Sequence, residues 1–385
     1  MINQDFIFSS ESVTEGHPDK VADQISDAVL DAIIKDDSSC RVACETLITR
    51  NKVILSAEIK STVSVDYKKI VKDTLLAIGY NEDSTGFNAN TCDIDLYIEE
   101  QSPDISMGVD QKGTGIIGAG DQGLMFGYAT NENDNLMPYP ILLAHKLTKD
   151  LALKRKDGSL PFLMPDGKSQ VSIKYEDNKA KYVDTVLIST QHSESVDDST
   201  LKESIIEEII KKQIPYDLIN SKTKFLINPT GRFVVGGPQG DTGLTGRKII
   251  VDTYGGWAKH GGGAFSGKDP SKVDRSACYM ARYLAKNIVA SGLLPDCEIQ
   301  LAYAIGKAEP VSFNLTSTLN IKSEILNKLS SKLFEIFDCT PKGIIDTLDL
   351  LNPIYQNTAS YGHFGRDEKG FSWENTDKKE EIKSL

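Results

Sequence analysis

The chain has 385 residues, of which 39% are hydrophobic, and it carries a formal net charge of -12 at pH 7. This length is typical of a protein with two or three domains that can bury a sizeable core. The negative charge argues against general binding to nucleic acids or anionic membranes, although it leaves room for a local basic pocket.

Cysteine usage and the N-terminal sequence bear on the compartment. The six cysteines are scattered without a C-x-x-C pair, and the five histidines lack the spacing of zinc ligands. We therefore predict free, buried thiols in a reducing compartment. The first residues show no basic-then-apolar signal, and no apolar run approaches the roughly 18 residues of a membrane-spanning helix. The sequence thus predicts a soluble, cytoplasmic protein.

The first predicted helix begins at Pro18, after a polar, turn-rich stretch. Its apolar residues recur at helical spacing over 21–33, which predicts one face packed on a core. The other face carries an aspartate at every fourth position, and we interpret most of this stripe as solvent-exposed: Asp19, Asp23, Asp27 and Asp31. Asp19 lies in the first turn beside His17, where a carboxylate either stabilises the helix dipole or has a functional role.

The remaining periodicities alternate between strand and helix. In the first part of the chain we expect a hairpin of 41–49 with 53–59, a helix over 66–78 and a strand over 92–98. Further along we expect the following elements: a helix over 141–154, a hairpin of 170–175 with 182–190, a helix over 201–212, a strand over 224–227, a helix from 270, strands from 297 and 311, and a helix over 324–337.

Similar helices, hairpins and strands recur at offsets of roughly 120 to 130 residues, which predicts a structural repeat. Antiparallel hairpins covered by helices indicate an α+β fold in three similar units. We place the units over 1–102, 115–233 and 234–385. A glycine-rich loop over 101–120 joins the first two units and has the length of a mobile active-site lid. The charged tail from Asp377 is expected to be frayed.

The stretch over 260–275 combines three consecutive glycines with the expected start of a helix. Asp269 occupies the N-cap position and Pro270 the first helical position. A glycine-rich loop before a helix N-terminus is suited to bind an anion, and Lys268 and Lys272 flank it. The order nearly matches a Walker A loop, but Asp269 stands where Ser or Thr should follow the lysine. An ordinary surface loop capped by Asp269 is the other interpretation.

Three further loops carry lysine or arginine beside turn-forming residues, over 165–168, 228–233 and 240–248. Each of them taken alone is equally typical of a simple turn. Their joint occurrence with 260–275 in an acidic chain is harder to explain by turns alone. Together they indicate a pocket for a polyphosphate.

Four motifs resemble those of one family. Gly118-Ala-Gly-Asp-Gln-Gly-Leu-Met-Phe-Gly-Tyr128 and Gly262-Gly-Ala-Phe-Ser-Gly-Lys-Asp269 are similar to the two signatures of the S-adenosylmethionine synthetases. Glu15-Gly-His-Pro-Asp-Lys20 and Gly236-Gly-Pro-Gln-Gly-Asp241 also match the pattern of that family. The resemblance extends from Ser10 to about Trp373 and so covers nearly the whole chain.

The resemblance implies a methionine adenosyltransferase, which forms S-adenosylmethionine from ATP and L-methionine. In such an enzyme the triphosphate leaves the ribose C5′ whole and is then hydrolysed to phosphate and pyrophosphate. The resemblance further implies a pseudo-threefold arrangement of interleaved units, two Mg²⁺ ions per site and one K⁺. It also implies a tight dimer with active sites between the subunits, often paired into a homotetramer.

Because the attacking sulfur is neutral, the departing triphosphate needs its growing negative charge neutralised. By resemblance, five basic residues have this role: His17, Lys168, Arg247, Lys248 and Lys268. Asp19 and Asp274 match the Mg²⁺ ligands, and carboxylate and phosphate oxygens suit that ion. Asp121 is similar to the catalytic carboxylate that faces the nascent sulfonium cation.

The other matched positions concern substrates and K⁺. The methionine-binding positions are Glu58, Gln101, Asp241 and Lys272. Besides the basic residues, the ATP-binding positions are Asp166, Arg232, Phe233, Asp241, Ala264 and Ile305. Glu45 matches the K⁺ ligand, although a strand glutamate also pairs readily with a cross-strand lysine. Asp166 is open to the simpler interpretation of a turn former.

Two other functions stay open on the residues alone. A conventional kinase that uses the glycine-rich loop is disfavoured by Asp269, and a non-catalytic nucleotide-binding scaffold is disfavoured because all the charged positions are intact. The middle of the lid, 111–117, lacks acidic residues found in some relatives, which concerns the ordering and speed of the lid. Identifying every product formed from ATP with and without methionine would separate the three functions.

Overall fold

Three β-sheets, each covered by helices, make up most of the molecule. The computed structural model describes residues 5–100, 118–319 and 323–385. Most of the predicted lid, including Gln101, therefore lies outside the described residues.

The strands of each sheet come from more than one of the three sequence units. The first sheet has the order β1 (Phe6–Val13), β8 (Leu163–Glu176), β9 (Lys179–His192) and β10 (Lys224–Ile227). The second has the order β11 (Gly243–Leu244), β2 (Arg41–Thr49), β3 (Lys52–Lys60) and β6 (Asp93–Glu100). The third has the order β13 (Ser312–Thr316), β12 (Asp296–Tyr303) and β7 (Gly123–Thr130). The short strands β4 (Asn81–Glu82) and β5 (Phe87–Asn88) pair separately.

Most neighbouring strands are antiparallel, while β9–β10 and β3–β6 are parallel. The hairpin of β8 and β9 turns at Asp177 and Asn178, as predicted. These residues have φ values of 50° and 61°, which are the left-handed values that a two-residue hairpin turn requires. The hairpin of β2 and β3 also matches its predicted place.

The described helices confirm the α+β class with three helix-covered sheets. In chain order they are α1 (Pro18–Ile34), α2 (Tyr67–Ile78), α3 (Tyr139–Lys156), α4 (Asp198–Ser204), α5 (Ile249–Asp252), α6 (Val273–Ala290), α7 (Ser323–Ile336), α8 (Pro341–Leu348) and α9 (Lys379–Lys383). The chain continues from α4 through a π-helical turn, Ile205–Ile210, into one further short α-helical turn, Lys211–Gln213. None of the helices in the described ranges is both long enough and apolar enough to cross a bilayer.

Three hydrophobic cores correspond to the three sheets. Helices α1 and α2 pack on the second sheet, α3 and α4 on the first, and α6 with the C-terminal segments on the third. All six cysteines are free and buried, as predicted. Burial raises the pKa of the Cys44 thiol to about 12, so this thiol is unreactive at neutral pH.

Helix α1 is buried on both faces, so the interpretation of its aspartates as solvent-exposed is wrong. Asp19, Asp23 and Asp27 are at most 2% exposed, and Asp31 is partly buried. Loops from distant parts of the chain cover this face and donate backbone N–H groups to the carboxylates. Helical periodicity shows only that one face of the helix is polar. It does not show whether that face contacts water or N–H donors from the rest of the protein.

Helix α6 begins at Val273, three residues later than predicted. Asp269 does not cap it: its Oδ1 accepts a hydrogen bond from the Ser271 N–H at 2.9 Å, and its Oδ2 accepts one from the Val42 N–H at 2.7 Å. The carboxylate therefore closes a turn and attaches the glycine-rich loop to β2.

The C-terminal tail is packed, so the expectation of fraying is wrong. Asp377 accepts a hydrogen bond from the Tyr283 hydroxyl at 2.7 Å, and Ile382 is fully buried. Ile382 belongs to the third hydrophobic core, and it attaches the short charged helix α9 to that core.

Candidate active site

The first part of the site is the N-terminus of α1. His17 is the N-cap residue, and its Nδ1 accepts a hydrogen bond from the Asp19 N–H at 3.2 Å. The Asp19 carboxylate accepts hydrogen bonds from the Lys248 ammonium at 2.5 Å and from the Leu244 N–H at 3.0 Å. Asp19 is thus held in place by a segment more than 220 residues away in the chain.

His17 is neutral in this environment. Burial, followed by the charges of Lys248 and Lys168, lowers its pKa to about 3. Since Nδ1 is an acceptor, the ring proton lies on Nε2. His17 therefore offers a neutral N–H donor in the protein without substrate, whereas the two nearby ammonium groups supply positive charge.

The end of β1 and the start of β8 bring the second part close to His17. The Thr14 N–H donates to the Gly167 carbonyl at 2.9 Å, and Val13 is paired in register with Lys168. Lys168 is exposed at this position. The N-terminus of α1 and residues 165–168 are therefore adjacent, as the polyphosphate interpretation requires. The prediction of a turn at 165–168 is wrong, because these residues belong to β8.

Asp166 lies within β8, so the simpler interpretation of a turn former is wrong. It is 7% exposed, its Oδ2 accepts the Gly237 N–H at 2.9 Å, and its Oδ1 is buried without a partner. Burial raises the pKa of this carboxyl to about 6, although the hydrogen bond from Gly237 and the charge of Lys168 act in the opposite direction. The negative charge of Asp241 raises the pKa further, so Asp166 and Asp241 lie in the same region.

The loop over 240–248 joins this region to the glycine-rich loop. A Cβ atom on Gly246 would lie 2.6 Å from the Cβ of Ala264, so the two loops are in contact. Arg247 is exposed beside this contact, and Lys248 is mostly buried against Asp19.

The third part of the site lies around Asp274, in the first turn of α6. The Lys268 ammonium is 2.7 Å from Asp274 Oδ2, and both side chains are about one quarter exposed, at 27% and 24%. A Cβ on Gly263 would lie 2.4 Å from Asp274, and one on Gly123 would lie 3.6 Å from its Oδ1. Asp121 is exposed two residues before Gly123, so it lies at the same end of the third sheet.

A buried ion pair that the sequence analysis did not assign holds the glycine-rich loop. Arg275 and Asp27 are fully buried and make two hydrogen bonds to each other, at 2.7 and 2.9 Å. Arg275 also donates to the carbonyls of Phe265 and Lys268, each at 3.1 Å, while Asp27 accepts the Gly267 N–H at 2.8 Å. The pair therefore fixes the backbone on which Lys268 stands.

Two of the other expected ATP-binding residues, Arg232 and Phe233, follow β10 in the chain. Arg232 is exposed and paired with Glu194 at 2.6 Å, and the Phe233 N–H donates to His192 Nε2 at 3.1 Å. Arg232, Glu194 and His192 line a cleft of about 350 Å³. Ile305 is 59% exposed and precedes Gly306 and Lys307, which form hydrogen bonds with Ala119 ahead of β7.

Glu45 and Glu58 lie on the exposed face of the second sheet. The partner of Glu45 in the register is Ser56, so the alternative of a directly opposed cross-strand lysine is wrong. Glu58 pairs with Ala43, which forms a bridge to Lys268. This sheet face is therefore continuous with the edge of the glycine-rich loop.

Lys272 is the one expected methionine-binding residue whose charge is already engaged. Its ammonium lies 2.5 Å from the buried carboxylate of Asp269. The other described members of the set, Glu58 and Asp241, are exposed.

The described residues contain no group of three or more histidine, cysteine or acidic side chains that could hold a metal ion. Asp19 and Asp274 are instead single carboxylates, each beside a lysine. This arrangement fits Mg²⁺, which is often held by one or two carboxylates together with the phosphates of a substrate.

Comparison with known proteins identifies the family of this chain. Three family models match consecutive segments: the N-terminal domain of S-adenosylmethionine synthetase over residues 5–103, its central domain over 116–233 and its C-terminal domain over 235–375. The chain belongs to the S-adenosylmethionine synthetase family.

Curated relatives match the chain from end to end. The S-adenosylmethionine synthase of Helicobacter hepaticus is 57% identical over 384 residues, which are 100% of this chain and 99% of that protein. The S-adenosylmethionine synthases of two Helicobacter pylori strains are each 57% identical over 380 residues, which are 99% of this chain and 98% of those proteins.

Proposed function

We propose that the chain is a methionine adenosyltransferase that forms S-adenosylmethionine from ATP and L-methionine and then hydrolyses the released triphosphate. Family membership and full-length relatives that carry the synthase name support this function. The observation on which it rests most directly is the placement of two lysines near His17. Lys248 is bonded to Asp19, whose N–H donates to His17 Nδ1, and Lys168 is paired in register with Val13 at the end of β1. Two ammonium groups and one N–H donor there suit an anionic leaving group.

In this proposal the basic residues stabilise the triphosphate as it leaves. Lys168, Arg247, Lys248 and Lys268 supply positive charge, and His17 donates from Nε2. A preorganised set of donors acts most strongly where negative charge develops, so its largest effect is on the transition state. When the triphosphate is bound, its charge would raise the pKa of His17 and strengthen this hydrogen bond.

Mg²⁺ is the metal that the carboxylates fit, and we propose two ions per site. Asp19 and Asp274 would each contribute a carboxylate, and Lys248 and Lys268 would turn from them toward the phosphates. The ions would supply additional neutralisation of the phosphate oxygens. Because neither carboxylate has a second acidic residue in a metal-binding group, affinity for the ions should depend on bound ATP.

The remaining roles concern methionine, adenosine and subunits. We assign Asp121 to the nascent sulfonium. The residues assigned to the amino and carboxyl groups of methionine are Glu58, Gln101, Asp241 and Lys272. The residues assigned to ATP are Asp166, Arg232, Phe233, Ala264 and Ile305. Glu58 lies on an exposed sheet face, which fits a site completed by a second subunit. We accordingly propose a dimer, paired into a tetramer, in the cytoplasm.

The stoichiometry of the products tests the proposed function. With ATP, Mg²⁺ and methionine, S-adenosylmethionine, phosphate and pyrophosphate should form in equal amounts, because the triphosphate leaves whole before it is cleaved. No ADP should appear by chromatography. Substantial ADP production without methionine would instead indicate a kinase.

The second test concerns K⁺, which we propose Glu45 binds. Replacing K⁺ by Na⁺ should lower the rate, and this dependence should largely vanish in Glu45→Gln, because the variant lacks the ligand charge. Steady-state rates in both salts measure the effect, with Glu203→Gln, an exposed site on α4, as the control. An unchanged K⁺ response in the Glu45 variant would remove this residue from the ion site.

A further inference from the structure

The aspartates of α1 form a regularly spaced row of hydrogen-bond acceptors along the helix. One turn apart, they accept backbone N–H groups from three segments of the chain. Asp19 accepts from Leu244 and Asp23 from Gly246, both in 240–248, whereas Asp27 accepts from Gly267 and Asp31 from Tyr355 and Gln356. The donors to Asp19, Asp23 and Asp27 belong to segments that carry proposed site residues. The donors to Asp31 belong to a segment that carries none.

Asp23 is connected to the loop over 240–248 at two points. Its Oδ1 accepts the Gly246 N–H at 2.8 Å, directly before Arg247. Its Oδ2 accepts a hydrogen bond from the ammonium of Lys20 at 2.9 Å, and Lys20 also contacts Asp252. The Asp252 N–H in turn donates to the Lys248 carbonyl at 2.9 Å. The segment from Gly246 to Asp252 is thus fixed at both ends.

All three charged side chains in this cluster are buried. Lys20 and Asp23 are 0% exposed and Asp252 is 2% exposed. They therefore cannot contact substrate in the described structure, yet they surround the backbone that carries Arg247 and Lys248. Charged groups are rarely buried without a partner or a role, and here the role is local geometry.

We propose that Asp23, held by Lys20, is a positioning residue that sets the placement of Arg247 and Lys248 for the reaction. The proposal rests on the function proposed above for those two basic residues. Removing the acceptor at Asp23 would free the Gly246 N–H and let the loop shift. A displacement of about 1 Å at a catalytic group can lower a rate on the order of 100-fold.

Two substitutions at this position separate positioning from charge. Asp23→Asn keeps a side-chain oxygen for the Gly246 N–H, whereas Asp23→Ala removes it. We expect kcat to fall on the order of 10- to 100-fold in the alanine variant, with a smaller change in KM for ATP. The asparagine variant should recover most of that loss. Asp31→Ala is the matched control, because it removes the same kind of acceptor from the same helix.

Hydrogen exchange of the full-length protein, followed by mass spectrometry, gives a readout independent of activity. Residues 244–248 should be protected in the wild type and the asparagine variant, and should exchange about tenfold faster or more in Asp23→Ala. Asp31→Ala should leave this segment unchanged.

Rapid exchange of 244–248 in the wild type would overturn the proposal even if the alanine variant does not fold. So would wild-type turnover in Asp23→Ala, or equal losses in the alanine and asparagine variants with unchanged exchange. Failure of the proposed function would appear differently, as a wild-type protein that forms no S-adenosylmethionine at all.

Discussion

Replacing Asp121 by asparagine should lower turnover by about 10² to 10³, the usual effect of removing one aimed electrostatic partner. The carboxylate lies at the end of β7, two residues from Gly123, which borders Asp274. Asparagine keeps the shape and the short contact to the Gln122 N–H but removes the charge that would face the sulfonium cation. Steady-state kinetics with saturating ATP and methionine measure the effect.

Asp134→Asn is the control for this variant. Asp134 is an exposed carboxylate beyond the other end of β7, so its replacement should leave turnover unchanged. If Asp121→Asn turned over at the wild-type rate with both substrates saturating, another carboxylate would have to stabilise the sulfonium.

Lys268→Met should lower turnover on the order of 10² or more while leaving the free energy of unfolding within about 1 kcal/mol. In the protein without substrate, Lys268 forms an ion pair with Asp274 in which both side chains remain about one quarter exposed, and a pair in contact with solvent contributes little to stability. A cation near a helix N-terminus opposes the helix dipole, and the Asp274 carboxylate offsets that cost. With substrate, Lys268 faces growing negative charge, so kcat should fall more than KM rises.

Thermal unfolding and steady-state kinetics, each with and without ATP, measure both parts of this prediction. Lys259→Met is a matched control, because Lys259 lies just before the same loop and is paired with Glu298. A Lys268 variant that unfolds readily, yet keeps near-normal turnover when folded, would make Lys268 a structural residue.

Local patterns were sufficient to predict most of the elements. The two long hairpins, α1, α3 and α6 follow from periodicity and turn residues, since a two-residue turn or an apolar stripe depends only on neighbours in the chain. The start of α6 was misplaced because Asp269 has a second possible partner, the Val42 N–H. That partner is supplied by tertiary structure.

The buried residues that hold the site loops in place were harder to predict than the motifs of the site. The resemblance to the family supplied His17, Lys248 and Lys268, but it gave no role to the Asp27–Arg275 pair, whose members are 248 positions apart. The only available signal was the spacing of four aspartates on the helix that follows the first motif. Such a stripe is usually solvated, and only the loops packed on it show that it is an array of acceptors.

The most direct test of the account is a rapid-quench experiment with the wild-type protein, ATP, Mg²⁺, K⁺ and methionine in a single turnover. We expect S-adenosylmethionine to appear together with enzyme-bound triphosphate, and phosphate and pyrophosphate to follow from that triphosphate. This order reflects one site that first receives the leaving group and then cleaves it. Detection of ADP or free phosphate before any S-adenosylmethionine forms would contradict the account.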